Sequence, residues 1–312
     1  MSMCANASRV LDEPVAGTAA TARTWLLVEQ PGPWGAKALT SSRLDPGLGR
    51  RLEEAARGTG VRLGLIRRPG RTEPATTRRV LAAHVVPGQG WVHEARIEDP
   101  EQLLSLNLKE LGGGTAASFT GRAGGLGGTP YTGAPLVCVC ANGKRDRCCA
   151  LLGRPLAAEL SAADTEGVWE VTHLGGHRFS PTLLVLPYGY AYGRADAALA
   201  RAAQRAAASG RVLLDGCRGR SSWERPEQAA ELTVRAETGE ERAEVLTACG
   251  LPPGEDPALR RVRVAHADGR RWTADVLRTA TGEARPESCG AALGLPARFE
   301  VVRLTAEAPA AG

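Results

Sequence analysis

The chain has 312 residues, 43% of them hydrophobic but only 4% aromatic, and carries a formal net charge of +5. That length and apolar content suffice for a large buried core spread over two or three domains. No apolar run reaches the ~20 residues of a membrane span, the first residues lack the apolar stretch of a signal peptide, and no basic stripe is interleaved with stacking aromatics, so neither membrane insertion, nor secretion, nor nucleic-acid binding is expected.

Residues 24–30, 61–68 and 80–86 read as strands, with a helix over 44–57 between the first two, the pattern of a right-handed crossover. They outline a small α/β unit over 20–111. Residues 111–133 are rich in Gly and Thr and read as a flexible connection. Neither a G-x-G-x-x-G nor a G-x-x-x-x-G-K-[ST] pattern occurs, so no motif supports nucleotide binding. A second unit, 135–220, repeats the layout with a strand at 136–140, a helix at 151–163, strands at 168–172 and within 182–194, and a helix at 195–210. From 225 to 306 a smaller α+β segment is expected, with a helical stretch over 225–248 followed by strands near 260–267, 270–278 and 299–305.

The chemistry is concentrated in two segments of the second unit. LVCVCANGKRDRCC (136–149) holds four of the eight cysteines, and THLGGHRF (172–179) two of the five histidines. Clustered soft sulfur and imidazole donors are what a metal centre needs, and eight cysteines in a reducing cytoplasm, the expected location, argue for metal binding rather than disulfides. His173 and His177 are spaced i, i+4, but Gly175 and Gly176 between them disfavour a helix, so HLGGH reads as a loop. Two thiolates and two imidazoles suit either a tetrahedral zinc ion or a two-iron two-sulfur cluster, and spacing alone leaves both open. If LVCVC is extended, Cys138 and Cys140 share one face, and Cys138 is either a wall of the site or a substitute ligand. Lys144, Arg145, Arg147 and Arg178 would set positive charge around anionic ligands, with Asp146 salt-bridged within the loop. Cys4, Cys217 and Cys249 read as small buried hydrophobes, and Cys289 declares no role. His84 reads as a hydrogen-bonded core residue, and His93 and His266 are given no function.

The runs CANGKRDRCC, VWEVTHLGGHRFSPTLLVLPYGYAYGR and GCRGRS resemble the sucrase/ferredoxin-like family, and the likeness extends from WLLVEQPGPWG (25–35) to RPESCG (285–290). The resemblance implies an α/β fold of two thioredoxin-like halves, with a 2Fe-2S cluster held by Cys140, Cys149, His173 and His177 and surrounded by Arg145, Asp146, Cys148, Gly175 and Gly176. Cys148, next to Cys149, is kept as an alternate ligand. Asn142 stands where the family usually carries a histidine, and it cannot titrate near neutral pH. The expected activity is electron transfer, coupled to a proton through the imidazoles, to an unidentified redox partner protein. The chain is thus expected to be an electron carrier rather than an enzyme with its own substrate. Two alternatives are a zinc-stabilised binding or scaffold domain, and a thiol oxidoreductase using Cys148 and Cys149 or Cys138 and Cys140. A glycosidase lacks an identifiable carboxylate pair.

Overall fold

A computed structural model describes residues 3–70, 76–122, 124–252, 254, 256, 258–280 and 282–307. In chain order the helices are α1 (Cys4–Val10), α2 (Pro46–Ala56), α3 (Leu108–Gly112), α4 (Ala117–Thr120), α5 (Arg154–Ala162), α6 (Ala197–Ala208) and α7 (Arg225–Thr238). The strands are β1 (Thr24–Glu29), β2 (Val61–Arg67), β3 (Arg78–His84), β4 (Trp91–Ile97), β5 (Thr129–Pro130), β6 (Leu136–Cys140), β7 (Val168–Val171), β8 (Leu183–Leu186), β9 (Tyr190–Tyr192), β10 (Cys217–Arg220), β11 (Leu246–Gly250), β12 (Leu259–His266), β13 (Arg271–Thr279) and β14 (Arg298–Ala306).

The first ten strands form one sheet in the order β10-β9-β8-β6-β7-β2-β1-β3-β4-β5. Within it the same unit occurs twice. In the first half β1 pairs in parallel with β2 and antiparallel with β3, which pairs antiparallel with β4. In the second half β6, β7, β8 and β9 repeat those relations. Each half is therefore a 2-1-3-4 sheet of thioredoxin-like order, and the two are stitched by the antiparallel pairing of Ile66 with Val171 and Arg67 with Glu170. A buried ion pair reinforces the seam, with Arg67 Nη2 2.6 Å from Glu170. One face of the sheet carries a core common to both halves, including Trp25, Leu27, Ile66, Cys138, Trp169 and Leu184. The opposite face is covered by α2 and α3 in the first half and by α5 and α6 in the second.

Local sequence explains the elements. All six residues of β1 are buried, as expected of a strand inside a sheet covered on both sides. Asp45 caps α2 by accepting from the Leu48 N–H at 2.7 Å, Pro46 opens the helix, and Leu48 and Leu52 face the core. Two expectations fail. Residues 111–133 are not a flexible connection: Leu111 and Phe119 are buried in the first-half core, and β5 adds a strand at the sheet edge. Glycine there serves close packing, because a Cβ on Gly112 would sit 1.8 Å from the Thr59 carbonyl oxygen. The helix expected over 225–248 ends at Thr238, where Gly239 adopts φ +65°, and 246–250 is a strand instead. Helix α7 packs on the four-stranded antiparallel sheet β11-β12-β13-β14 through Ala230, Val234, Val262 and Val264. No helix among the described residues is long and apolar enough to cross a membrane.

Candidate metal centre

The site lies where β6 and β7, the parallel pair of the second half, end at their carboxyl edges, the usual location of sites in α/β sheets. Cys140 is the last residue of β6 and is buried together with Cys138, while Val137 and Val139 face the other core, as strand alternation requires. The chain then turns through Asn142, whose Nδ2 donates to the Gly35 carbonyl at 3.0 Å and whose Oδ1 accepts from Lys144 N at 3.2 Å. Residues 147–162 are helical, earlier by four residues than expected, because Asp146 Oδ1 accepts from the Cys148 N–H at 2.8 Å and starts the helix. A π-helical turn over Cys149–Gly153 places Cys149 in the first turns, where the helix dipole favours a thiolate. The backbone passes so close that a Cβ on Gly153 would lie 2.1 Å from the Cys140 oxygen.

Cys149 Sγ stands 3.5 Å from Cys140 Sγ and 3.2 Å from His177 Nδ1. All three residues are buried, and their donor atoms lie within 4.8 Å of one another. His173 stacks on His177 with ring centroids 4.7 Å apart, and its Nδ1 is a buried nitrogen without a hydrogen-bond partner. The Cys140 thiol is held well below its ordinary pKa, first by its hydrogen bond with Cys149, against the cost of burial, and then by one with His173. Cys149 is raised by the same bond and by burial, so the pair shares one proton.

The histidine loop depends on its glycines. Gly175 and Gly176 both take left-handed φ, +75° and +70°, and Gly176 leads into a 3₁₀ turn, His177–Phe179. Arg218 fills the space a Gly176 side chain would need and is fully buried. Its Nε donates to Thr18 Oγ1 and its Nη1 to the Gly175 carbonyl, both at 3.0 Å. Its positive charge, like that of Arg62, is felt at Cys140. A cleft of about 380 Å³ exposes the other side of His173, rimmed by Arg145, Arg178, Arg225 and Glu287.

Several expectations are corrected here. Cys148 does not face the site: it points away, to Cys4 and Cys289. Asp146 makes no salt bridge within the loop and instead binds the backbone N–H groups of Cys148 and Cys289. Cys138 is enclosed by the shared core, where burial pushes its thiol up to about 12. Cys249 is exposed rather than buried. Arg178 is a buried ion-pair partner of Glu13 at 2.7 Å, whereas Lys144, Arg145 and Arg147 are exposed. His84 is a hydrogen-bonded core residue as expected, its Nδ1 2.8 Å from Thr24 Oγ1. His266, given no function, is hydrogen-bonded, its Nε2 lying 2.9 Å from Glu240 and its Nδ1 accepting from the Asp268 N–H at 3.0 Å. Sequence reasoning missed Glu13, Thr18 and Arg218. For Arg218 a signal existed in the GCRGRS run. For Glu13, which joins Arg178 to Arg285, none did.

The sucrase/ferredoxin-like family model matches residues 15–219, which span both halves of the ten-stranded sheet and every donor of the site. The chain belongs to the sucrase/ferredoxin-like family. Within this family member, the N-terminal helix, α7 and the second sheet lie outside the matched residues, and so does RPESCG. Neither a curated protein nor a solved structure matches the chain.

Proposed function

We propose that the protein is an electron carrier holding a 2Fe-2S cluster on Cys140, Cys149, His173 and His177. The observation that carries the reading is the meeting of a buried thiol pair with a stacked imidazole pair at one edge of a parallel strand pair. The donor set fits. Two sulfurs 3.5 Å apart have nearly the separation, about 3.8 Å, of two thiolates sharing a tetrahedral metal at about 2.3 Å. The buried His173 Nδ1 makes no hydrogen bond of good geometry while its imidazole interacts with the Cys140 thiol, the condition of a donor placed for a ligand shared with that sulfur.

When bound, such a cluster accepts and releases one electron at a potential that histidine ligation raises over four-cysteine ligation. The chain's own residues do the rest. Burial of Cys140, Cys149 and His177 keeps water from the sulfurs, while Arg62 and Arg218 stabilise negative charge on Cys140. The half-buried His173 lines the cleft, the side from which solvent reaches the imidazole pair. The exposed Arg145 and Arg225 at the cleft rim, with exposed Lys37 nearby, favour docking of an acidic redox protein in the cytoplasm.

A single ion on Cys140, Cys149 and His177 is the second reading. It is favoured by the compactness of those donors, which all fall within 4.8 Å. Iron and acid-labile sulfide in anaerobically purified protein, with a visible spectrum before and after dithionite, decide between them. About two irons and two sulfides per chain and a bleachable spectrum are expected. Absence of both iron and sulfide from protein never exposed to oxygen overturns the cluster and leaves the single ion.

A further inference from the structure

Cys148 turns away from the candidate centre into a second group of donors. Its sulfur lies 3.5 Å from Cys4 Sγ and 3.2 Å from Cys289 Sγ, and Cys4 and Cys289 are 3.6 Å apart. The triangle has sides slightly shorter than the about 3.8 Å between thiolates on one tetrahedral zinc. A free thiol by itself packs as a small hydrophobe. Three sulfurs converging from positions 144 and 141 residues apart are not something apolar packing requires.

Asp146 completes the group. Its two oxygens lie 3.9 and 3.8 Å from Cys4 Sγ, and one of them is within 4.8 Å of every sulfur. The carboxylate is aimed by two backbone bonds, accepting from Cys148 N at 2.8 Å and from Cys289 N at 2.7 Å, which leaves each oxygen a lone pair. Backbone groups also serve the sulfurs: that of Ala5 bonds Cys148, and those of Cys4 and Cys148 bond Cys289. Such outer bonds orient thiolates and offset their charge at metal sites, and here the start of the helix over 147–162 adds to them. Cys4, Asp146 and Cys148 are buried, and Cys289 is partly open, which provides an entry path.

We propose that Cys4, Cys148, Cys289 and Asp146 form a second metal site that takes one zinc ion through three thiolates and one carboxylate. On binding, each thiol passes its proton to solvent and no electron moves. The ion would clasp both ends of the chain over the loop that carries Cys149, parallel to the Glu13 bridge between Arg178 and Arg285. Of the three sulfurs only that of Cys148 falls within the family match.

The test compares zinc content, after anaerobic purification from zinc-supplemented cells, of a Cys140→Ser/Cys149→Ser chain and the same chain also carrying Cys4→Ser and Cys289→Ser. About one zinc per chain is expected in the first and at least about tenfold less in the second. Equal zinc in both overturns the proposal, as does a zinc-free first chain with residues 4, 148 and 289 present as thiols or as a disulfide. Because four substitutions can unfold the chain, zinc X-ray absorption is also read on the unaltered protein. Three sulfurs at about 2.3 Å and one oxygen at about 2.0 Å are expected, whereas two sulfurs with nitrogen would place the zinc at Cys140 and Cys149 and overturn the proposal. Iron and sulfide are read separately, so the cluster reading can fail without touching this one.

Discussion

Gly176→Ala tests how the histidine loop is held. The substitution forces an L side chain into φ +70°, which costs about 1–2 kcal/mol by itself. The new Cβ would also stand 2.1 Å from Arg218 Nη2. Arg218 is fully buried and cannot swing into solvent. To yield, it must give up a bond to Thr18 or to the Gly175 carbonyl, and a hydrogen bond from a charged donor contributes about 1.5–3 kcal/mol. The expected loss is about 3–5 kcal/mol. Gly175→Ala supplies the control: its φ is similar, +75°, but the nearest atom to a new Cβ is Ala20 Cβ at 3.7 Å, an ordinary contact. It should cost only the backbone term, about 1–2 kcal/mol. Urea unfolding of the two variants should therefore differ by about 2 kcal/mol, a factor of about 30 in the folding equilibrium. Adding Arg218→Ala to Gly176→Ala should show a favourable coupling of about 1 kcal/mol or more, since the clash is removed with the guanidinium. Equal destabilisation by the two alanines, or no coupling with Arg218, would refute the steric argument.

Glu231→Ala should cost about 3–5 kcal/mol, because Arg235 and Glu231 are both fully buried and the arginine would keep only Tyr190 and backbone carbonyls as partners. A loss under about 1 kcal/mol in urea unfolding would show that water reaches the pair. Burial, helped by the charges of Arg23 and Arg220, pulls the His84 imidazole from 6.5 down to about 4. The unfolded chain then binds the extra proton first, so the stability from neutral His84 is complete above about 6.5 and is lost as pH falls toward 4, up to about 3 kcal/mol. His84→Gln should flatten that part of the stability profile relative to wild type, and an unchanged slope would assign it elsewhere. Burial alone would raise the Glu13 carboxyl, but the hydrogen bond from Arg285 and the charge of Arg178 outweigh it and hold it below its ordinary 4.5. The clasp it makes is thus intact above that value and fades as pH falls through the lower folded pKa. Glu13→Gln should loosen it at neutral pH, read as faster tryptic cleavage after Arg9 with the sheet core resistant.

Much of the architecture was legible before the structure because it rests on local patterning. The apolar runs at 24–30, 136–140 and 168–172 are buried on both sheet faces, so their hydrophobicity announces strands without tertiary help. The glycine pair in HLGGH likewise signals a loop from backbone freedom alone, and left-handed φ at both positions bears that out. Glycine misled at 111–133, where the same composition serves close packing, because the sequence does not say whether a missing Cβ frees the chain or admits a neighbour. Clustering brought the Cys140, Cys149 and His177 donors to notice, since β6 and β7 are adjacent parallel strands and their following loops must meet. Cys4 and Glu13 carried no such mark, and the runs that hold Arg218, Arg285 and Cys289 did not say what those side chains meet. Cys4 and Cys289 meet across 285 residues, and contacts of that range are set by how whole elements pack rather than by any neighbouring residue. The division between Cys148 and Cys149 is the sharpest case: two identical side chains, adjacent in sequence, are sent to different donor groups by the direction in which one helix begins.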